Sequence, residues 1–163
     1  MSGGFENILP ANADTLLTIS SFGNMLYQAR GLSQTLEVIS EATQQERTIN
    51  GTLINAKSMT LGNSTNALRV SGGFTQGSKG SIKTTITGAG NYGRISAGGA
   101  LSLAGKVTLK QVKFIAKSGE SFAFFAGSER TGEFSSIKGT AIKGGSLSYV
   151  PHYTATGLNL VVE

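Results

Sequence analysis

The sequence predicts an all-β protein of short strands joined by Gly-rich turns, a β-solenoid or sandwich-like stack, with a short helical or extended N-terminal region. Three observations lead there. Glycine occurs 23 times and proline only twice in 163 residues, so tight corners are available at many points. Charged residues make up 14% and hydrophobic residues 39%, which removes the solvated, disordered class. Ile, Val, Thr and Ser recur in short alternating runs between the glycines, and these residue types suit a pleated, half-buried strand.

Three regions follow along the chain. Residues 1–13 read as an N-terminal arm, with Gly3-Gly4 and Pro10 resisting regular structure and Phe5, Ile8 and Leu9 able to anchor on a neighbour. Residues 14–56 read as a docking region. Leu16, Leu17, Ile19, Phe22, Met25 and Leu26 approach helical spacing, with Asp14 placed to cap the first turn. The SSFG interruption cuts across that pattern, and Gly31 ends it. In RTINGTLIN, Asn50-Gly51 predicts a two-residue type I′ turn, pairing Thr48-Ile49 with Thr52-Leu53 as a hairpin.

Residues 57–163 read as a β-rich domain. In SIKTTIT, Ile82, Thr84 and Ile86 share one face and Lys83, Thr85 and Thr87 the other. In ALSLAGKVTL, Leu101, Leu103, Val107 and Leu109 share a face across Gly105. The turns fall at uneven intervals, so no strict repeat is expected. In KVTLKQVKFIAK, Lys106, Lys110, Lys113 and Lys117 would gather on one side of a basic helix. The β-branched and aromatic content of that run, bracketed by Gly105 and Gly119, favours a strand.

Near the end, KSGESFAFF, GEFSSIKG and GGSLSYVPHYTATGLNLVVE form a connected series. It alternates Phe122 with Phe124, then Phe134 and Ile137, Leu147 and Tyr149, and finally Leu158, Leu160 and Val162. From about Val107 to Glu163 the chain resembles the closing segment of right-handed β-helix passengers in autotransporter and haemagglutinin-like adhesins. That likeness implies a set of strands with irregular turns that covers the last rung and blocks edge pairing.

An earlier stretch carries Tyr27, Ala29, Arg30, Gly31, Leu32, Ser33, Gln34, Thr35 and Leu36, then Arg47, Thr48, Asn50, Gly51 and Leu53. This order is similar to a segment near the start of small structural proteins of tailed bacteriophages. It implies that the first half docks to a virion, with Tyr27 and Arg30 joining Phe5, Ile8 and Leu9 as docking or oligomer contacts. The second half would project or cap. Spikes of this kind are commonly threefold, so a homo-oligomer, a trimer ahead of a dimer, is expected.

Catalytic chemistry has little to work with. There is no cysteine, one aspartate (Asp14) and one histidine (His152), and no GxSxG elbow stands beside either. His152 in YVPHYT reads as a surface or turn residue. Glu120, Glu129 and Glu133 are the only approach to an acidic cluster, which a paired-carboxylate glycosidase would need. Gly88, Gly90 and Gly93 spell G-x-G-x-x-G, yet RISAGGAL does not open a helix, so these read as turns.

No catalytic residue, metal or cofactor is expected. The net charge of +5 reads as a solubilising surface, or as attraction to an anionic partner such as nucleic acid, lipopolysaccharide or a phage or cell surface. No adjacent basic run singles out nucleic acid. MSGGFENILPANAD lacks the basic start and apolar stretch of a signal peptide, and no apolar run reaches membrane-helix length. The expected function is therefore a non-enzymatic structural protein of a phage virion (tail, tail tip or capsid appendage), made in the host cytoplasm. The alternative is a bacterial cell-surface adhesin module that binds a host glycan or protein.

Overall fold

The computed structural model describes residues 51–62 and 67–163, and before them the backbone of four short strands. Strands are dealt in turn to three sheets. The first sheet stacks β1 (Leu16–Ile19), β2 (Thr35–Val38), β5 (Thr52–Asn55), β8 (Phe74–Gln76), β12 (Leu101–Leu103) and β15 (Arg130–Gly132). The second stacks β3 (Ala42–Gln44), β6 (Ser58–Leu61), β9 (Ser81–Gly88), β13 (Lys106–Gln111) and β16 (Ser136–Lys138). A short β10 (Asn91–Tyr92) folds back antiparallel on β9. The third stacks β4 (Thr48–Ile49), β7 (Leu68–Val70), β11 (Ile95–Ala97) and β14 (Ser121–Ala126), then β18 (Gly157–Val162) and β17 (Tyr149–Tyr153).

Neighbours within each stack are parallel until the end of the third, where β18 runs antiparallel to β14 and β17 antiparallel to β18. Successive strands thus wind around a common core, and the chain is a three-sheet β-solenoid. No helix occurs among the described residues. The all-β expectation holds, and its solenoid form is the one realised.

The winding follows from which residues can stack. Leu53, Phe74 and Leu101 lie in register on the first sheet; Met59, Ile82 and Val107 do so on the second, and Leu68, Ile95 and Phe125 on the third. All nine are buried. Alternation along each strand sends these side chains inward and the intervening Thr, Ser and Lys outward. Each fully buried large side chain contributes about 1.5–3 kcal/mol, and like residues stacked on parallel strands spread that gain along the axis.

One polar pair interrupts the apolar interior. Asn55 Nδ2 donates to Gln76 Oε1 at 2.7 Å and to the Ser81 carbonyl at 3.0 Å, and both amide side chains are buried. Asn55 and Gln76 are register partners at the ends of β5 and β8, where the chain turns from the first sheet to the second. The bonds fix that corner against slippage.

Two local expectations are corrected. Thr48-Ile49 and Thr52-Leu53 do not form a hairpin: β4 pairs with β7 in the third sheet, while β5 pairs with β2 and β8 in the first. Gly51 does have a positive φ, 121°, but it serves a corner between sheets, and its carbonyl accepts the Gly72 N–H at 2.8 Å. The near-helical spacing from Leu16 is also overridden. Leu16–Ile19 is a strand parallel to Thr35–Val38, because a neighbouring strand supplies the backbone partners that spacing alone cannot reveal. Phe22, Met25 and Leu26 lie outside the described residues, as does the arm of residues 1–13.

The basic run from Lys106 is strand through Gln111, as its β-branched content favoured. Beyond it the chain turns sharply, with Lys113 in the left-handed region at φ 52°.

The closing segment covers the last coil. In β14 a bulge between Ala123 and Phe125 turns both Phe124 and Phe125 inward, alongside Phe122. The Phe122 ring meets Tyr149 edge-on at 5.5 Å and Tyr92 at 5.2 Å, and Phe125 meets Phe134 at 5.1 Å. Gln111 Nε2 donates to Tyr149 Oη, and the Phe134 N–H donates to Tyr153 Oη at 3.1 Å. On the first sheet the apolar ladder ends at Arg130, whose guanidinium lies 5.0 Å from the centre of the Tyr153 ring.

Burial raises the ionisation of both Tyr149 and Tyr153 above the ordinary phenol value of 10.0. Hydrogen bonds from Gln111 and Phe134 oppose that shift, and the nearby Glu120 and Glu133 charges add to it. A raised folded-state value means that the unfolded chain loses its phenol protons first. The stability held by these rings is therefore complete below about pH 10 and declines above it. Melting temperature should fall as pH rises from 9.5 to about 11, and Tyr149→Phe should flatten that fall while lowering the melting point at neutral pH.

Candidate binding face on the second sheet

Among the described residues, His152 and Glu120 are each engaged in a local contact of their own. His152 lies on β17, its Nε2 2.7 Å from Glu163 Oε1, with the two side chains 49% and 54% exposed. Such a pair contributes about 0–1 kcal/mol. Glu120 Oε2 accepts the Lys117 backbone N–H at 2.8 Å and so closes a turn. Glu129 and Glu133 stand on opposite sides of β15 in the chain, each in a connection between sheets. Among the described residues no three His, Cys, Asp or Glu side chains are grouped to hold a metal ion.

Gly88, Gly90 and Gly93 surround the β9–β10 reversal, so the G-x-G-x-x-G run is a turn between strands, as read. Gly93 is needed for packing, since a Cβ there would sit 2.5 Å from Thr84 Oγ1 and 2.6 Å from Leu61 Cβ. Asp14 and the proposed docking residues Phe5, Ile8, Leu9, Tyr27 and Arg30 lie outside the described residues.

A different feature emerges from the register. Gly51 to Glu163 holds twelve of the fourteen Lys and Arg but four of the nine Asp and Glu, a net charge of +8, while the first 50 residues carry −3. Part of that excess is ordered on the outer face of the second sheet. One row across the strands reads Thr60, Lys83, Thr108, Lys138; the row beside it reads Ser58, Ser81, Lys106, Ser136; a third pairs Thr85 with Lys110. The four lysines are exposed, and β3, β6, β9, β13 and β16 contain no Asp or Glu.

The arrangement alternates like a checkerboard. Lys83 is flanked by Thr60 and Thr108, and Lys106 by Ser81 and Ser136, so no lysine has another directly opposite it. Like charges facing each other across a ladder destabilise it, and interleaved hydroxyls avoid that cost. Strands about 4.8 Å apart place Lys83 and Lys138 roughly 10 Å from each other, and Lys106 and Lys110 are roughly 13 Å apart along their strand.

Of these four, Lys106 and Lys110 were singled out by their spacing and Lys83 by the alternation of its strand, whereas Lys138 carries no local signal. Lys83 and Lys138 join the face only because parallel pairing aligns strands that are distant in sequence. No family model and no curated protein matches the chain.

Proposed function

We propose that the chain is a non-enzymatic structural and assembly protein of a tailed-bacteriophage virion: a short solenoid rod in a tail, tail tip or capsid appendage. The observation that carries this reading is the three-sheet stack itself. Its interior is filled by ladders of Leu, Ile, Val and Phe, and the last coil is covered by β17 and β18. The interior polar groups Asn55, Gln76 and Thr84 are amides and a hydroxyl, and none is a group that attacks or titrates. Asn55 Nδ2 bonds Gln76 Oε1 and Thr84 Oγ1 bonds the Gly93 carbonyl, while Asn55 Oδ1 and Gln76 Nε2 have no partner among the described residues. Side chains are thus spent on a rigid body and on its outer faces.

The reading includes a homo-oligomer, a trimer ahead of a dimer. Among the described residues Ile115, 65% exposed, is the only large hydrophobic side chain on the surface. Association is therefore assigned to the arm, through Phe5, Ile8 and Leu9, rather than to a sheet face. Immunogold labelling of particles released from the producing host tests the proposal. Label on purified virions is expected; label confined to the bacterial envelope would favour the adhesin reading, for which the basic face of the second sheet is the specific argument.

A further inference from the structure

We infer that the outer face of the second sheet binds a linear acidic polysaccharide, one bearing carboxylate or sulfate groups along its length. This goes beyond the structural reading and holds whether the rod stands on a particle or on a cell. The first argument is charge. Lys106, Lys110 and Lys138 present ammonium groups beside Lys83 on one sheet, and β6, β9, β13 and β16 carry no acidic residue, so a polyanion laid across those strands meets no carboxylate on them.

The second argument is the chemistry between the lysines. Thr60, Thr85, Thr108 and Ser81 stand at alternate positions, and hydroxyls both donate to and accept from the hydroxyls of a sugar ring. The third argument separates a polysaccharide from nucleic acid. No arginine and no aromatic residue occupies an outward position of β6, β9, β13 or β16, so the face lacks the fork that reads guanine and the rings on which bases stack. Lysine point charges set among hydroxyls suit spaced anionic groups on a polar chain.

The turn after β13 extends the basic surface. Lys113 and Lys117 are both exposed there, with Ile115 between them. Lys113 holds a left-handed backbone at φ 52°, a conformation that non-glycine residues rarely adopt.

The test uses the full chain and two probes, polygalacturonate for carboxylates and heparin for sulfates, with neutral dextran and duplex DNA alongside. Binding to at least one acidic polysaccharide is expected, weakening as salt is added, with none to dextran. Lys106→Gln with Lys110→Gln should lower that affinity on the order of tenfold. Arg69→Gln with Lys143→Gln removes the same charge away from this face and should change it by less than about threefold. All four residues are exposed, so circular dichroism should show every variant folded.

No binding to either polysaccharide at low salt would overturn the inference. So would equal losses in the two double variants, which would mean attraction to net charge alone. DNA bound as tightly as the polysaccharides at the same salt would reassign the face to nucleic acid.

Discussion

Phe74→Ala is expected to destabilise the protein by about 3–5 kcal/mol, the range for deleting a fully buried aromatic side chain. Phe74 has no exposed surface, stacks on Phe125 with ring centroids 6.0 Å apart, and sits in register between Leu53 and Leu101. Its removal opens a cavity between the ladders of the first and third sheets. The neighbouring coils cannot collapse into it without breaking their own parallel pairing, so the cost should fall toward the upper end. Chemical denaturation measures it, and Phe74→Leu should recover more than half of the loss. A loss below about 1 kcal/mol for alanine would mean that Phe74 is not in the core.

Gly105→Ala is expected to cost about 3 kcal/mol or more, although it adds a single methyl group. Gly105 turns the chain from β12 into β13 at φ 66°, a left-handed conformation. A Cβ there would lie 2.2 Å from the Gly80 carbonyl oxygen and 2.6 Å from that of Gly77, both backbone atoms of the preceding coil. The coil cannot move aside, because Lys106 N–H donates to Gly80 O at 3.0 Å and Gly80 N–H to Gly77 O at 2.8 Å.

Gly144→Ala isolates the two effects. Gly144 has φ 86° with nothing within 4 Å of a Cβ, so only the backbone cost of about 1–2 kcal/mol applies. Similar melting temperatures for the two variants would show that the corners are not stacked in contact.

Much of the strand content was legible because alternation and glycine are local signals. SIKTTIT and ALSLAGKVTL place the same side chains inward that the solenoid buries. Pairing was not legible. Asn50-Gly51 announces a positive φ, and Gly51 has one, but a hairpin and a solenoid corner ask the same of a glycine. What separates them is whether the next partner lies two residues away or one full coil away, and no local pattern encodes that.

The same limit hid the basic face. Lys83, Lys106 and Lys138 are far apart in sequence and become neighbours only when Lys83 aligns with Thr108, and Thr108 with Lys138. The uneven coils conceal this further. Leu36, Leu53, Phe74, Leu101 and Arg130 stack although each interval is longer than the one before, so no period marks the register. The aromatic closing strands were the most visible part of the second half, since Phe122, Phe124, Tyr149 and Leu158 must bury a large area in a few residues.

Disulfide trapping tests the coil-on-coil stacking on which both the rod and its basic face depend. The chain has no cysteine of its own, so introduced pairs report cleanly. Thr75 on β8 and Ser102 on β12 are in parallel register, which places their Cα atoms about 4.8 Å apart, within disulfide reach. The double variant Thr75→Cys with Ser102→Cys should oxidise readily in the folded protein. Ile49→Cys with Thr52→Cys, the pair a hairpin would set face to face, should stay reduced. Cross-linking of the second pair and not the first would contradict the solenoid.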